Sequence, residues 1–84
     1  MIRAAVFAAI DVERQRQQDL WSVPHSWGFG DCSSPDVETS VKLAVLIEEV
    51  GEAARAFLEN DDESFRTEMT QVAAVAVALL EGLS

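Results

Sequence analysis

From Val72 to Leu80 the chain reads Val-Ala-Ala-Val-Ala-Val-Ala-Leu-Leu, apolar on every side of a helix. A helix without a polar face has to be covered all round. An 84-residue chain has few elements with which to cover it, since a domain of this size buries only about 60–65% of its unfolded surface. Nor can the run lie in a membrane, which takes about 20 apolar residues. The pattern predicts a helix buried between neighbours, some of them supplied by a second copy of the chain.

Two further helices precede it, and no stretch alternates well enough to predict a strand. The first is expected from Ile2 to Trp21. Phe7, Ile10, Arg14, Gln17 and Trp21 share one face of it, apolar at the start and polar further on. Either the helix leaves the core there or these side chains face an occupied cavity. Residues 22–33 read as a loop that is long for a compact domain and rich in aromatic groups: His25, Trp27 and Phe29. Trp27 either plugs the end of the bundle or stacks on a flat ligand such as a nucleobase.

The second helix is expected to open at Ser34-Pro35-Asp36, with Ser34 as cap and Pro35 in the first turn. It runs to Glu59, with Leu43, Leu46, Ile47, Val50, Ala54 and Phe57 as the core stripe. Gly51 costs about 1 kcal/mol against Ala inside a helix and predicts close approach of a neighbouring helix or a ligand. Asn60 and Glu63 have the spacing of a capping box for the third helix, Asp62 to Leu83. So short a link makes helices two and three antiparallel neighbours. The expected fold is a single all-α domain, 1–84, in which a three-helix protomer assembles into a helical-bundle homodimer or homotetramer.

Six basic residues stand against fifteen acidic ones, a formal net charge of -9. This argues against a nucleic-acid polymer as partner, because phosphate backbones need a basic surface. The single Cys32 leaves no intramolecular disulfide and suits a reducing compartment. The opening Met-Ile-Arg-Ala-Ala-Val-Phe-Ala-Ala-Ile is faintly like a leader. Its apolar core is short, however, and Asp11-Val12-Glu13-Arg14 follows without a good cleavage site. The expectation is a soluble, cytoplasmic protein with no membrane partner.

The acidic residues gather in two clusters, Glu48-Glu49-Val50-Gly51-Glu52 and Glu68-Met69-Thr70-Gln71. At about 100° per residue, Glu48 falls beside Arg55 and Glu59 on a solvated face. Glu49 and Glu52 instead bracket Val45 and Ala56 on the flank of the apolar stripe. Glu68 and Gln71 occupy the same flank of helix three, in line with Val75 and Ala78. Antiparallel packing brings the two flanks together, and carboxylates held close repel unless they are protonated or bridged by a cation. An oxygen-only donor set suits Mg²⁺ or Mn²⁺. A di-iron bundle needs Glu-x-x-His on paired helices, but His25 is in the loop. Zinc needs more Cys and His than one of each.

A Glu-Glu-x-x-Glu cluster followed after a gap by Glu-x-x-Asp resembles the signature of the MazG-like, all-α nucleoside triphosphate pyrophosphohydrolases. Here the match is Glu48-Glu49-x-x-Glu52 and Glu68-x-x-Gln71. Upstream, Glu13-Arg14-Gln15-Arg16-Gln17 followed by Trp27-Gly28 is similar to short phage and bacterial members. The resemblance implies Mg²⁺-dependent cleavage of a nucleoside triphosphate to a monophosphate and pyrophosphate, by a homodimer or a dimer of dimers. It implies metal ligation by Glu49, Glu52, Glu68 and Gln71, with Mn²⁺ an alternative ion, and a catalytic role in water positioning for Glu48. Arg14, Gln17, Lys42 and Trp27 are the candidate substrate contacts, with Arg55 a weaker one. Gln71 departs from the motif: it keeps an oxygen ligand and loses the charge of the usual Asp. The competing expectation is a non-catalytic helical homo-oligomer that binds nucleotide or a protein partner through a degenerate site of this kind.

Overall fold

A computed structural model describes residues 1–83. Three helices, α1 (Arg3–Trp21), α2 (Thr39–Leu58) and α3 (Asp62–Gly82), are joined by a loop and a tight turn. The loop holds a small hairpin of β1 (Pro24–His25) and β2 (Gly28–Phe29), paired antiparallel with Pro24 opposite Phe29 and His25 opposite Gly28. Strands of two residues are too short to show alternation, so the sequence offers no sign of them. No helix among the described residues is long and apolar enough to cross a membrane.

Helix α2 starts later than its capping residues suggest, because those residues are used elsewhere. Ser34 Oγ donates to Phe29 O (2.5 Å) and accepts from Asp36 N–H (3.2 Å), while Asp36 Oδ2 accepts from Phe29 N–H (2.6 Å). The short-range chemistry that caps a helix here stitches the hairpin to the chain that follows it. Gly28 is part of that seam. Its φ is 121°, and a Cβ there would come within 2.7 Å of Asp36 O.

The turn between α2 and α3 also differs by one residue from the expected capping box. Asn60 adopts the left-handed conformation (φ 57°) and ends α2, with Asn60 N–H bonded to Phe57 O and Asp61 N–H to Ala56 O. This pair of bonds satisfies two of the carbonyls that a helix end leaves open, and Asn tolerates the left-handed region better than most residues. Asp61 then caps α3, accepting from Ser64 N–H (3.0 Å) and Ser64 Oγ–H (2.7 Å).

Helix α3 packs against both α2 and α1. The core they enclose is built of small residues: Val37, Ala53, Ala56, Ala74, Val75 and Ala78 are buried, and no large side chain among the described residues is fully buried. This corrects the expected core stripe. Leu43, Ile47, Val50 and Phe57 of α2 are 49–70% exposed, and the inward face of α2 is instead the one that carries Lys42, Ala53 and Ala56. Helix α3 is not covered all round either, since Val77 and Leu80 stand out from it while Ala74 is fully buried inside the protomer. Gly51 has nothing within 4 Å of where its Cβ would lie, so no close approach within the chain explains it.

On α1 the buried residues are the polar ones, Arg14 and Gln17, whereas Phe7 and Trp21 are exposed. Arg14 pins three segments together, with Nη1 2.6 Å from Asp31 Oδ2 and Nε 2.8 Å from Glu81 Oε1. Breaking a buried pair from one side costs about 3–5 kcal/mol; Glu81 is half exposed, so the low end applies. Arg14→Met is therefore expected to destabilise the chain by about 3 kcal/mol in urea unfolding. An unchanged midpoint would leave Arg14 without its structural role.

Candidate metal and ligand site

The i, i+3 pairs on α2 and α3 meet as antiparallel packing requires. One oxygen from each of Glu49, Glu52 and Glu68 lies within 4.8 Å of the others. The Gln71 amide sits 2.9 Å from Glu68 Oε2 and 3.0 Å from Glu49 Oε2; with its nitrogen toward them, it donates to both. Glu49 and Glu68 are half-buried and Glu52 is exposed, so the cluster lies at the edge of the helix interface rather than within it. Around an octahedral ion with bonds of about 2.1 Å, cis oxygens stand about 3.0 Å apart and trans oxygens about 4.2 Å, so seating one takes up to about 1.8 Å of closure between the carboxylates.

Electrostatics marks Glu49 as the focus. Burial, followed by the charges of Glu52, Glu68, Glu48 and Glu13, pushes its carboxyl up to about 7. Burial and the neighbouring Glu52 raise Glu68 in the same direction. Glu13 of α1, absent from the sequence motif, bears on both. It is itself held below the ordinary carboxylate range by its hydrogen bonds from Arg16.

The Glu49 value has a consequence for stability. Between about pH 4.5 and pH 7 the folded chain keeps a proton on Glu49 that the unfolded chain has released, so folding weakens as pH rises through this window. Without divalent ions, the melting temperature is expected to fall from about pH 5 to about pH 7.5, and Glu49→Gln should flatten that fall. Excess Mg²⁺ or Mn²⁺ should reverse the slope, because a cation prefers the deprotonated cluster. A melting temperature that falls equally with and without metal would count against a cation site.

A cleft of about 290 Å³ shares Glu49 with this cluster. Its lining includes Trp21, His25 and Trp27 together with Arg16, Cys32 and Glu48. Trp27 does not plug the bundle, being 60% exposed. His25 organises the aromatic residues. Its Nε2 lies 2.6 Å from Gly30 O and its Nδ1 accepts from Trp27 N–H at 3.3 Å, which together require the neutral tautomer protonated at Nε2. Trp21 packs edge-on against the same ring at 5.7 Å. A wider, shallower groove of about 470 Å³ runs between α1 and α3 past Ala8, Ala9 and Thr70, and its lining is mostly apolar.

Glu49, Glu52, Glu68 and Gln71 are thus brought together, and Glu48 and Trp27 line the adjoining cleft. Gln17 reaches the cleft as well, with its amide donating to Glu13 Oε2 (3.1 Å) and Gln71 O (3.4 Å). Arg14 and Lys42 are placed differently. Arg14 is turned to Asp31 and Glu81, and Lys42 is buried beside Gly82 at the far end of α3. Arg55 pairs with Glu59 at 3.6 Å on an exposed face. Sequence reasoning missed Glu13, Arg16, Trp21 and His25. Only the i, i+3 spacing of Glu13 and Arg16 hints at their pairing, and nothing local reveals that α1 lies beside the cluster.

No protein-family model matches the chain, and no curated protein or solved structure is detectably similar to it.

Proposed function

We propose that this protein is a Mg²⁺-dependent nucleotide pyrophosphohydrolase, cleaving a nucleoside triphosphate to a monophosphate and pyrophosphate. The observation that carries this reading is the convergence of Glu49, Glu52 and Glu68, with Glu49 also lining a cleft that holds Trp21, His25 and Trp27. A polyphosphate with a flat base needs both features: oxygens that hold a cation for the phosphates, and a ring face for the base. The motif resemblance supplies the reaction class.

In this reading Glu49, Glu52 and Glu68 hold the ion, and Gln71 contributes its amide oxygen once the amide has turned over. Bound there, a divalent ion neutralises phosphate charge and lowers the pKa of a coordinated water. Glu48, exposed on the cleft beside Glu49, orients the attacking water and takes its proton. Trp27, with Trp21 behind His25, stacks on the base. Gln17 positions the carboxylates and the Gln71 backbone, and Arg14 and Lys42 act in the fold. The protomer works as a homo-oligomer joined through the exposed apolar stripe of α2.

A second reading has an observation of its own. Turned to donate to both Glu68 and Glu49, the Gln71 amide holds the cluster together without an ion. A chain with that arrangement binds nucleotide or a protein partner as a non-catalytic homo-oligomer. A pyrophosphate-release screen over nucleoside triphosphates with Mg²⁺ and with Mn²⁺ separates the two. Turnover with any of them supports the hydrolase. Nucleotide-induced thermal stabilisation without turnover supports the second reading and removes the first.

A further inference from the structure

We propose that Arg16 is the phosphate-binding cation of the cleft, held ready by Glu13 and transferred to the ligand when phosphate takes that carboxylate's place. The inference rests on the nucleotide reading and names a residue which that reading lacks. A chain of net charge -9 that gathers Glu13, Glu48, Glu49, Glu52 and Glu68 around one site repels a polyphosphate, even with one divalent ion present. A cation at the cleft is needed, and among the described residues Arg16 is the one Lys or Arg side chain that lines it.

The geometry suits an exchange of partners. Arg16 Nε and Nη2 lie 2.7 and 2.8 Å from the two oxygens of Glu13, a side-on fork that phosphate oxygens accept equally well. The Arg16 side chain is 55% exposed and can turn to a phosphate without leaving solvent, whereas the Glu13 side chain is only 13% exposed and needs another donor once Arg16 has moved. Glu13 does not lose every partner when Arg16 departs, because Gln17 also donates to it. Arg16 feels the charge of Glu49 as well as that of Glu13, which places the guanidinium within reach of the field of a phosphate held at the cluster.

The test is calorimetric titration of inorganic pyrophosphate into the full chain with excess Mg²⁺. Arg16→Gln is expected to weaken binding by about tenfold or more, with Arg16→Lys recovering part of the loss. Glu13→Gln is expected to tighten binding by about threefold to tenfold, because the competing carboxylate is gone. That gain should vanish in the double variant Glu13→Gln/Arg16→Gln, an outcome that a merely structural pair does not produce. If Arg16→Gln binds pyrophosphate as the parent does, the proposal is overturned while the hydrolase reading stands. If Glu13→Gln tightens binding equally with Gln at position 16, Glu13 acts by repulsion alone and the exchange is overturned. A parent that neither binds pyrophosphate nor releases it from nucleotides overturns both.

Discussion

Glu49→Gln is expected to lower nucleotide hydrolysis by about a thousandfold, roughly 4 kcal/mol in the barrier, and to weaken Mg²⁺ binding in the same protein. Glu49 is where the chain concentrates its electrostatic tension, with a carboxyl pushed up to about 7 by burial and four neighbouring acids. The neighbouring charges that hold a proton there also attract a cation, which displaces the proton when it binds. Gln71 gives the complementary test. Its amide lies within hydrogen-bond range of Glu68 and Glu49, and a carboxylate there adds a charge while removing both donations. Gln71→Asp is expected to destabilise the metal-free protein and to tighten Mg²⁺ or Mn²⁺ by about tenfold. Gln71→Glu belongs beside it, since the shorter Asp can stop short of the ion. If both variants bind metal no better than the parent and Glu49→Gln binds it equally well, these residues form no metal site, and the hydrolase reading goes with them.

The three helices and the meeting of the two acidic flanks were legible because both depend on spacing along one helix and on one short turn. Glu49 and Glu52 stand a single turn apart, and Glu68 and Gln71 repeat that interval on the antiparallel neighbour. Boundaries failed where a side chain had two possible partners. Ser34 and Asp36 have good capping chemistry, but Gly28 and Gly30 fold the hairpin back within their reach, and the hairpin takes them. Asn60 was read as a cap when its tolerance of the left-handed region makes it a terminator instead. The contribution of α1 was not legible at all, because no local pattern says which carboxylates Glu13 and Arg16 will face.

The inward face was the least legible feature, and the cause is physical. Hydrophobic size does not mark the core here: the buried apolar residues of α2 and α3 are Ala53, Ala56, Ala74, Val75 and Ala78. Small residues let helix backbones come close, and the large ones on α2 are then left on the other side. Ala74 lies inside the protomer, so Ala74→Glu tests folding and not assembly.

Assembly is better probed at Ile47, at the centre of the exposed α2 stripe and 70% accessible. Leu43, Ile47, Val50 and Phe57 recur at the three- and four-residue spacing of one helical face, which is how a helix presents a surface to a partner helix. Among the described residues no large side chain is fully buried, so covering that stripe adds apolar burial that the protomer alone lacks. A second copy offers an identical stripe, and a two-fold contact lets each cover the other. Sedimentation at micromolar concentration is expected to show a dimer or tetramer. Ile47→Glu should weaken association by about a thousandfold, since a carboxylate buried without a partner costs about 4 kcal/mol. Because Ile47 lies outside the protomer core, the variant should keep its helix content, whereas Ala74→Glu should lose it. A parent chain that sediments as a stable monomer, with Ile47→Glu indistinguishable from it, overturns the assembly and leaves the α2 stripe as uncovered surface.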